Sequence, residues 1–191
     1  MIIRDAREED ARHIAAIHAA SWRFAYRGAL SDVFLTQDID AELSAFWADR
    51  LRSAPRNQHI IVAENGEALI GFACVYTNFD EQLGTLLDNL HVSLTMLRQG
   101  IGTKLLVSIA TWCRANNAPG RLFLWVLQTN LHAQRFYQAL GAVNAGSGIW
   151  VPPGGGKVPR YRYAWQNISS LLHKAEGGPI RSISWRHDPC G

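Results

Sequence analysis

Apolar residues recur at helical spacing in two segments near the start of the chain, 7–26 and 32–52. Shorter segments rich in apolar and aromatic residues follow, and they predict strands at 59–63, 68–77 and 85–92. The turn residues Glu64 to Glu67 join the first two of these as a hairpin. Further on, the pattern predicts helices at 103–116 and 130–140, strands at 122–127, 142–150 and 158–166, and a weak strand at 1–4.

This order of elements predicts one α/β domain with a mixed sheet, spanning residues 1–166. A length of 191 residues suits one domain. A chain of this size buries roughly 70% of its unfolded surface, so its core needs neither metal nor disulfide. The periodicity is lost after Trp165, and we expect residues 167–191 to be a C-terminal appendage or tail.

Composition narrows the class of protein. A hydrophobic fraction of 48% with a net charge of +3 excludes disorder over most of the chain. The longest apolar runs, such as 122–127, are too short to cross a membrane, and the first residues carry no signal-peptide hydrophobic region. Cys74, Cys113 and Cys190 lie far apart and form no disulfide framework. We therefore expect a cytoplasmic protein with no membrane partner.

The segment with the most chemical information is the loop from Leu90 to Thr103. A strand leads into Arg98-Gln99-Gly100-Ile101-Gly102, and a helix begins directly afterwards. The first amides of a helix have no partner within it, and the macrodipole adds partial positive charge, so this loop favours an anion. A Walker loop and a Rossmann fingerprint both fail here, because Thr103-Lys104-Leu105 follows the second glycine. An ordinary helix start without a ligand is the alternative.

Two blocks together resemble the GNAT superfamily of acyl-CoA-dependent N-acetyltransferases. The first is Leu90-His91-Val92 with Leu97-Arg98-Gln99-Gly100-Ile101-Gly102, and the second runs from Asn130 through Ala133 and Phe136-Tyr137 to Leu140-Gly141. The family often has proline where Leu94 stands and arginine or glutamine where Leu97 stands. The resemblance covers about residues 1–166 and implies a mostly antiparallel sheet of six to seven strands, flanked by about four helices and splayed between the fourth and fifth strands.

The resemblance also implies acetyl-CoA as co-substrate and no metal. Its coenzyme-binding residues would be Leu90, His91, Val92, Leu97, Arg98, Gln99, Gly100, Ile101, Gly102, Thr103, Asn130, Ala133 and Phe136. For Asn130, a plain helix cap explains the residue equally well.

The transfer of an acetyl group to an amine requires a neutral amine, a polarised carbonyl and a proton for the leaving thiolate. By its place in the second block, Tyr137 is predicted as the general acid, with packing against the coenzyme as the alternative. Asp88 is predicted as the base on a strand face shared with Leu86 and Leu90, with His91 on the opposite face. His91 or a chain of waters remains an alternative base.

The amine acceptor is expected at the first two helices and the last strand pair, with Trp22 and Tyr26 as binding residues; both aromatic side chains also suit a helix core. A small or polyamine-like amine is favoured over a protein N-terminus or lysine, and a non-catalytic acyl-CoA sensor is the rival. The alternation Tyr161-Arg162-Tyr163 fits a final strand better than a nucleic-acid surface. The resemblance to the family also implies a homodimer.

Overall fold

The computed structural model describes residues 1–116, 118, 120–153 and 156–175. Its seven strands are β1 Ile2–Asp5, β2 Gln58–Asn65, β3 Ala68–Asp80, β4 Gly84–Val92, β5 Leu122–Leu127, β6 Val143–Trp150 and β7 Val158–Trp165. Its α-helices are α1 Ala11–Ala25, α2 Ile39–Arg52, α3 Ile101–Ala115, α4 Leu131–Ala139 and α5 Ile168–Ala175. A π-helical turn, Phe34–Asp38, leads into α2.

All seven strands form one sheet in the order β1-β2-β3-β4-β5-β7-β6. Every neighbouring pair is antiparallel except β4 and β5. That parallel pair is joined only where Thr85 meets Leu122 and Leu86 meets Phe123. Beyond Leu86 the two strands diverge, so the predicted mixed sheet and its opening between the fourth and fifth strands are both confirmed.

The two faces of the sheet carry separate cores. On one face α1 and α2 bury Trp47 against Phe72 of β3, with ring centroids 5.0 Å apart. On the other face α3 buries Leu105 and Leu106 in a cluster that also holds Trp165 of β7. Burying each such side chain contributes about 1.5–3 kcal/mol, so both helix layers are held firmly against the sheet. The open gap between β4 and β5 is thereby framed by rigid elements.

A β-bulge in β4 changes which face its residues occupy. Cys74 of β3 is opposite Asn89, while the next residue, Val75, is opposite Leu87. Asp88 is therefore the extra residue, and the alternation shifts by one position there. The Asp88 carboxylate and the His91 ring both lie on the side of α1 and α2. The expectation that His91 lies on the face opposite Asp88 is wrong, because it assumed an unbroken strand.

The C-terminal segment, predicted as an appendage or tail over 167–191, begins with a helix. Residues 168–175 form α5, and Ile168, Leu171 and Leu172 on it are buried in the core that holds α3. The Ile168 amide also donates to the Gly120 carbonyl at 2.8 Å. We propose that the domain extends at least to Ala175; the predicted tail beyond it, 176–191, lies outside the described residues. Within the described ranges, no helix is long and apolar enough to cross a membrane.

Candidate active site

Helix α3 begins at a residue in the left-handed conformation. Gly100 has φ +76° and carries no side chain that could cap the helix. The amide of Lys104 makes the first intrahelical bond, to the Gly100 carbonyl at 3.0 Å. The three preceding amides, from Ile101 to Thr103, have no helical partner because the residues four positions before them lie outside the helix. The loop therefore presents a row of free N–H donors at the positive end of the helix dipole.

A groove runs from this helix start to the gap between β4 and β5, and we call it the α3 groove. It is walled by β4 and β5 on the sheet and by the facing parts of α1, α3 and α4. Of the residues predicted from the sequence, the α3 groove brings together Trp22, Tyr26, Asp88, Leu90, His91, Val92, Leu97, Arg98, Gly100, Ile101, Gly102, Thr103, Asn130, Ala133, Phe136 and Tyr137. Gln99 is exposed outside the groove, and its amide approaches the Met96 sulfur at 3.7 Å.

Close packing between α3 and α4 explains the second glycine of the loop. A Cβ atom on Gly102 would lie 3.4 Å from the Phe136 ring and 3.8 Å from Val92. A longer side chain would push the Phe136 ring away and fill the end of the groove. Asn130 caps α4, because its Oδ1 accepts the Ala133 amide at 3.1 Å. This bond is the plain helix cap that the sequence allows for Asn130.

Tyr137 is buried at the inner end of the α3 groove. Its ring contacts Phe136 and Trp165, with centroids 5.2 Å and 6.1 Å away. Burial, and secondarily the neighbouring Tyr26, raises the pKa of Tyr137 well above its ordinary value of 10.0. The phenol therefore keeps its proton across the physiological range and is available as a hydrogen-bond donor.

Tyr26 lies between the other ionisable groups of the site. Burial, and then the charge of Asp88, raises the pKa of Tyr26 to about 12. The Tyr26 ring stands 5.2 Å from Trp22 and 6.0 Å from Trp150. Because the three rings contact one another, Trp22 in α1 and Tyr26 at its C-terminal cap both pack against neighbours and line a cavity.

Asp88 is neutralised by a residue from α2. Its Oδ2 accepts a hydrogen bond from Arg50 Nη1 at 2.7 Å and another from Asn89 Nδ2 at 2.7 Å. The Arg50 guanidinium in turn lies over the Phe46 ring at 4.1 Å. The carboxylate is thus fixed in place by charge-assisted bonds at the point where the bulge directs it away from the ladder.

His91 and His18 form a neutral pair beneath the cavity. Their ring centroids are 4.5 Å apart, and burial lowers the pKa of His91 to about 4. The pKa of His18 is also well below its ordinary value, through burial and then through the repulsion between the two rings when both are protonated. Trp47 Nε1 donates to His18 Nδ1 at 3.0 Å, which leaves the His18 proton on Nε2.

A second cavity of about 530 Å³, which we call the aromatic cavity, lies between α1, α2 and the diverging strands. It is lined by aromatic side chains, by two carboxylates and by two arginines. One of the carboxylates, Asp88, forms an ion pair with one of the arginines, Arg50. The residues that line both the aromatic cavity and the α3 groove are Trp22, Tyr26, Leu87, Asp88, His91, Trp125 and Val126. The two spaces therefore meet at the opening in the sheet.

Among the residues of the aromatic cavity that sequence reasoning did not assign to the site are His18, Arg50, Trp150 and Arg160. His18 falls within the helical periodicity of α1, so the sequence pattern predicts a core residue there. Arg50 lies 38 residues before its partner Asp88, so no local pattern joins them. The alternation of basic and aromatic residues in β7 was the signal that could have indicated Arg160, since one set must face inward. Among the described residues, no group of His, Cys, Asp and Glu could hold a metal ion.

A seven-stranded sheet that opens at its one parallel pair, beside a glycine-capped helix start, is the architecture of a class of acetyltransferases. The chain belongs to the acetyltransferase (GNAT) family, whose model matches residues 14–142. No curated protein sequence matches the chain.

Solved structures show the same fold at low sequence identity. PaiA N-acetyltransferase from Thermoplasma acidophilum, in complex with coenzyme A, is 19% identical with a TM-score of 0.62, over 85% of this chain and 98% of that one. YncA from Salmonella typhimurium, a putative acetyltransferase with acetyl-CoA, is 19% identical with a TM-score of 0.61, over 100% and 99%. A ribosomal-protein-alanine N-acetyltransferase from Brucella melitensis is 18% identical with a TM-score of 0.64, over 86% and 99%.

Proposed function

We propose that this protein is an N-acetyltransferase that moves the acetyl group of acetyl-CoA to the primary amine of a small molecule. The observation that carries the proposal is the meeting of two spaces at the gap between β4 and β5. One space ends at an anion-binding helix start, and the other is an aromatic cavity of about 530 Å³. Two reactants held in these spaces would touch only at the gap, as direct attack within a ternary complex requires.

The α3 groove suits coenzyme A along its whole length. The free amides from Ile101 to Thr103 would hold the pyrophosphate, with Arg98 at the same loop adding charge. The apolar wall formed by Leu90, Val92 and Phe136 suits the pantetheine chain, and two neighbouring structures hold coenzyme A or acetyl-CoA. When bound, acetyl-CoA supplies the activated acetyl group as a thioester.

The backbone of β4 supplies the polarising group. Its ladder to β5 ends at Leu86, so the strand edge from Leu87 to Val92 has N–H groups that no β5 residue occupies. An amide on this edge would stabilise the negative charge that develops on the carbonyl oxygen, as an oxyanion hole does. As the amine nitrogen forms its bond to the carbonyl carbon, the carbon–sulfur bond breaks, one proton leaves the nitrogen and one reaches the sulfur.

Tyr137 is our candidate for the group that delivers the proton to the sulfur. Its raised pKa keeps the phenol protonated until the thiolate develops beside it. A phenol with a raised pKa is a weak acid, so the transfer requires a strongly basic, poorly solvated thiolate. The buried position of Tyr137, 9% exposed, provides that poorly solvated environment.

Asp88 is our candidate for the group that receives the amine. Its Oδ2 is taken up by Arg50 and Asn89, so Oδ1 is the atom that would orient the nitrogen or accept its proton through water. His91 is neutral at physiological pH because burial lowers its pKa to about 4. We prefer Asp88 on geometry, because its Oδ1 is not engaged by Arg50 or Asn89. His91 or a chain of waters stays the alternative.

Acceptor size follows from the aromatic cavity. Trp22, Tyr26 and Trp150 cover one side of it, and Phe34 and Phe46 line the side at α2. A space of this volume accommodates a small amine more readily than an extended peptide.

We place the enzyme in the cytoplasm, in keeping with the free thiols of Cys74 and Cys113. The homodimer implied by the family stays a prediction, for which light scattering on the purified protein is the test.

Substitution of Tyr137 by phenylalanine tests the catalytic proposal. We expect kcat for acetyl transfer to a reactive amine to fall by about 100-fold or more, because general acids contribute on that scale. The dissociation constant of coenzyme A should stay within about twofold, since the ring is retained. Tyr161→Phe is the matched control, because Tyr161 lines neither space.

An unchanged kcat in Tyr137→Phe would contradict the acid role. Tight binding of acetyl-CoA without transfer to any amine, in the wild-type protein, would instead favour a non-catalytic acyl-CoA sensor. Transfer to peptides but not to small amines would favour a protein N-terminus or lysine as the acceptor.

A further inference from the structure

Arg160 on β7 lies in the wall of the aromatic cavity and has no charged partner among the residues that the structure describes. Its Nε atom is buried and has no hydrogen-bond acceptor among the described residues. Within the same described ranges, no carboxylate lies within 4.0 Å of its guanidinium. A buried donor left unsatisfied costs about 1–3 kcal/mol, and more when charged. Such a group is retained where a ligand supplies what the protein does not.

The other arginine of the aromatic cavity provides a comparison within the same site. Arg50 lies over Phe46 at 4.1 Å, and Arg160 lies over Trp125 at the same distance, 4.1 Å. Arg50 is neutralised by Asp88 at 2.7 Å. Arg160 has the aromatic support without the carboxylate. Burial also lowers the pKa of Arg160, which shows that its charge is partly removed from water.

The position of Arg160 is built into the sheet. The Arg160 guanidinium stacks over the Trp125 ring, and that ring packs against Gly148 on β6. A Cβ atom on Gly148 would lie 3.2 Å from the Trp125 ring, so any other residue would displace the ring. The neighbouring Arg162 is used differently, because its Nε and Nη2 both donate to the Ala145 carbonyl.

Arg160 lines the aromatic cavity and does not line the α3 groove. The anion it faces therefore belongs to the acceptor and not to the phosphates of the coenzyme. Glu42 lines the same cavity, is exposed, and forms no ion pair with Arg160 within 4.0 Å. Beside the paired Arg50 and Asp88, the described wall of the cavity thus presents one further carboxylate, Glu42, and one further guanidinium, Arg160, to a molecule that carries an amine and an anion.

We propose that the acceptor is an amine that also bears a carboxylate, and that Arg160 binds the carboxylate while the nitrogen is directed toward Asp88. This inference rests on the proposed function, since it names the acceptor class of the same site. A carboxylate is the preferred anion because its two oxygens match two parallel N–H groups of a guanidinium. An arginine in this role fixes the orientation of the amine as well as its affinity.

The test compares paired acceptors that differ only in the carboxylate. Methionine and methioninamide, and phenylalanine and phenylalaninamide, are assayed for acetylation with the wild-type protein and with Arg160→Gln. We expect the ratio of kcat/KM for acid over amide to fall on the order of 10- to 100-fold in Arg160→Gln, because a charged hydrogen bond is lost. The acid and the amide of each pair differ in the basicity of their amine. This difference is the same for both proteins, so it cancels when the ratio for Arg160→Gln is compared with the ratio for the wild-type protein.

Three controls keep the result interpretable. Arg160→Lys retains the positive charge but cannot make two parallel hydrogen bonds to a carboxylate, so it should retain part of the preference for the acid over the amide. Arg12→Gln removes an exposed arginine outside the cavity and should leave the ratio unchanged. The affinity of each variant for coenzyme A reports whether it is folded, because Arg160 does not line the α3 groove.

A binding measurement separates this inference from the proposed function. Calorimetric titration of methionine and phenylalanine into the protein with coenzyme A bound needs no turnover. Loss of that binding in Arg160→Gln supports the carboxylate site even if no amine is acetylated. Acetylation of amines with the same acid-to-amide ratio in wild-type protein and Arg160→Gln would overturn the inference and leave the acetyltransferase intact.

Discussion

Individual residues in this site are defined by what surrounds them more than by their type. His91 and His18 are neutral because burial lowers the pKa of each. Asp88 is a fixed anion because Arg50 and Asn89 both donate to it. Tyr137 and Tyr26 keep their protons because their environment raises the pKa of both phenols. Five ionisable side chains thus reach different protonation states within one opening of the sheet.

The neutral histidine pair makes the stability of the free protein sensitive to acid. His91 titrates near its ordinary pKa of 6.5 when unfolded and at about 4 when folded. Between these pH values the unfolded chain binds more protons than the folded one. The free energy of unfolding is therefore highest above pH 6.5 and falls as the pH drops toward 4. We expect the free energy of unfolding in urea to drop by up to about 3 kcal/mol across this window.

The variant His91→Gln should show a shallower fall over the same pH range, with a remainder to which His18 and His59 contribute, because burial lowers the pKa of both. The exposed residue His13 provides the matched control, and His13→Gln should reproduce the wild-type slope. A wild-type protein whose unfolding free energy is constant from pH 6.5 to 4.5 would contradict the buried, neutral assignment of His91.

At the scale of elements, the sequence predicted the strands and helices well because their apolar periods are long. It failed at β4, where the bulge at Asp88 shifts the alternation by one residue. A bulge depends on how two strands pair, and nothing in the letters from Leu86 to Leu90 signals it. The same limit applies to Arg50 and Asp88, which are brought together by α2 crossing over the sheet.

Gly100 tests whether the helix start is built for an anion. Gly100→Ala places a side chain at φ +76°, which costs roughly 1–2 kcal/mol and disturbs the amides that follow. We expect the dissociation constant of coenzyme A to rise on the order of tenfold, because charge-assisted bonds are misaligned. Gly66→Ala is matched to it, with φ +63° in the β2–β3 hairpin and open space around it.

Both glycine variants should lose similar stability in thermal unfolding, and only Gly100→Ala should lose coenzyme affinity in calorimetry. Equal coenzyme affinity in the two variants would show that the α3 start does not hold the pyrophosphate.

For the whole molecule, the order of elements predicted the mixed sheet, whereas its opening was implied only by the family resemblance of the two glycine and tyrosine blocks. The segment after Trp165 was harder. Residues Ile168, Leu171 and Leu172 show helical spacing over only eight residues, too short to stand out without the core they cover. The aromatic cavity could not be predicted either, since its lining comes from α1, α2, the π-helical turn and five strands, which lie far apart in the sequence.

Calorimetric titration of the purified protein with acetyl-CoA and with coenzyme A, paired with thiol release in a mixture of amines, tests the central proposal most directly. We expect both ligands to bind to one site per chain and thiol to be released only when an amine is present. Failure of both ligands to bind would contradict the assignment of the α3 groove, and thiol release independent of amine would contradict direct attack in a ternary complex.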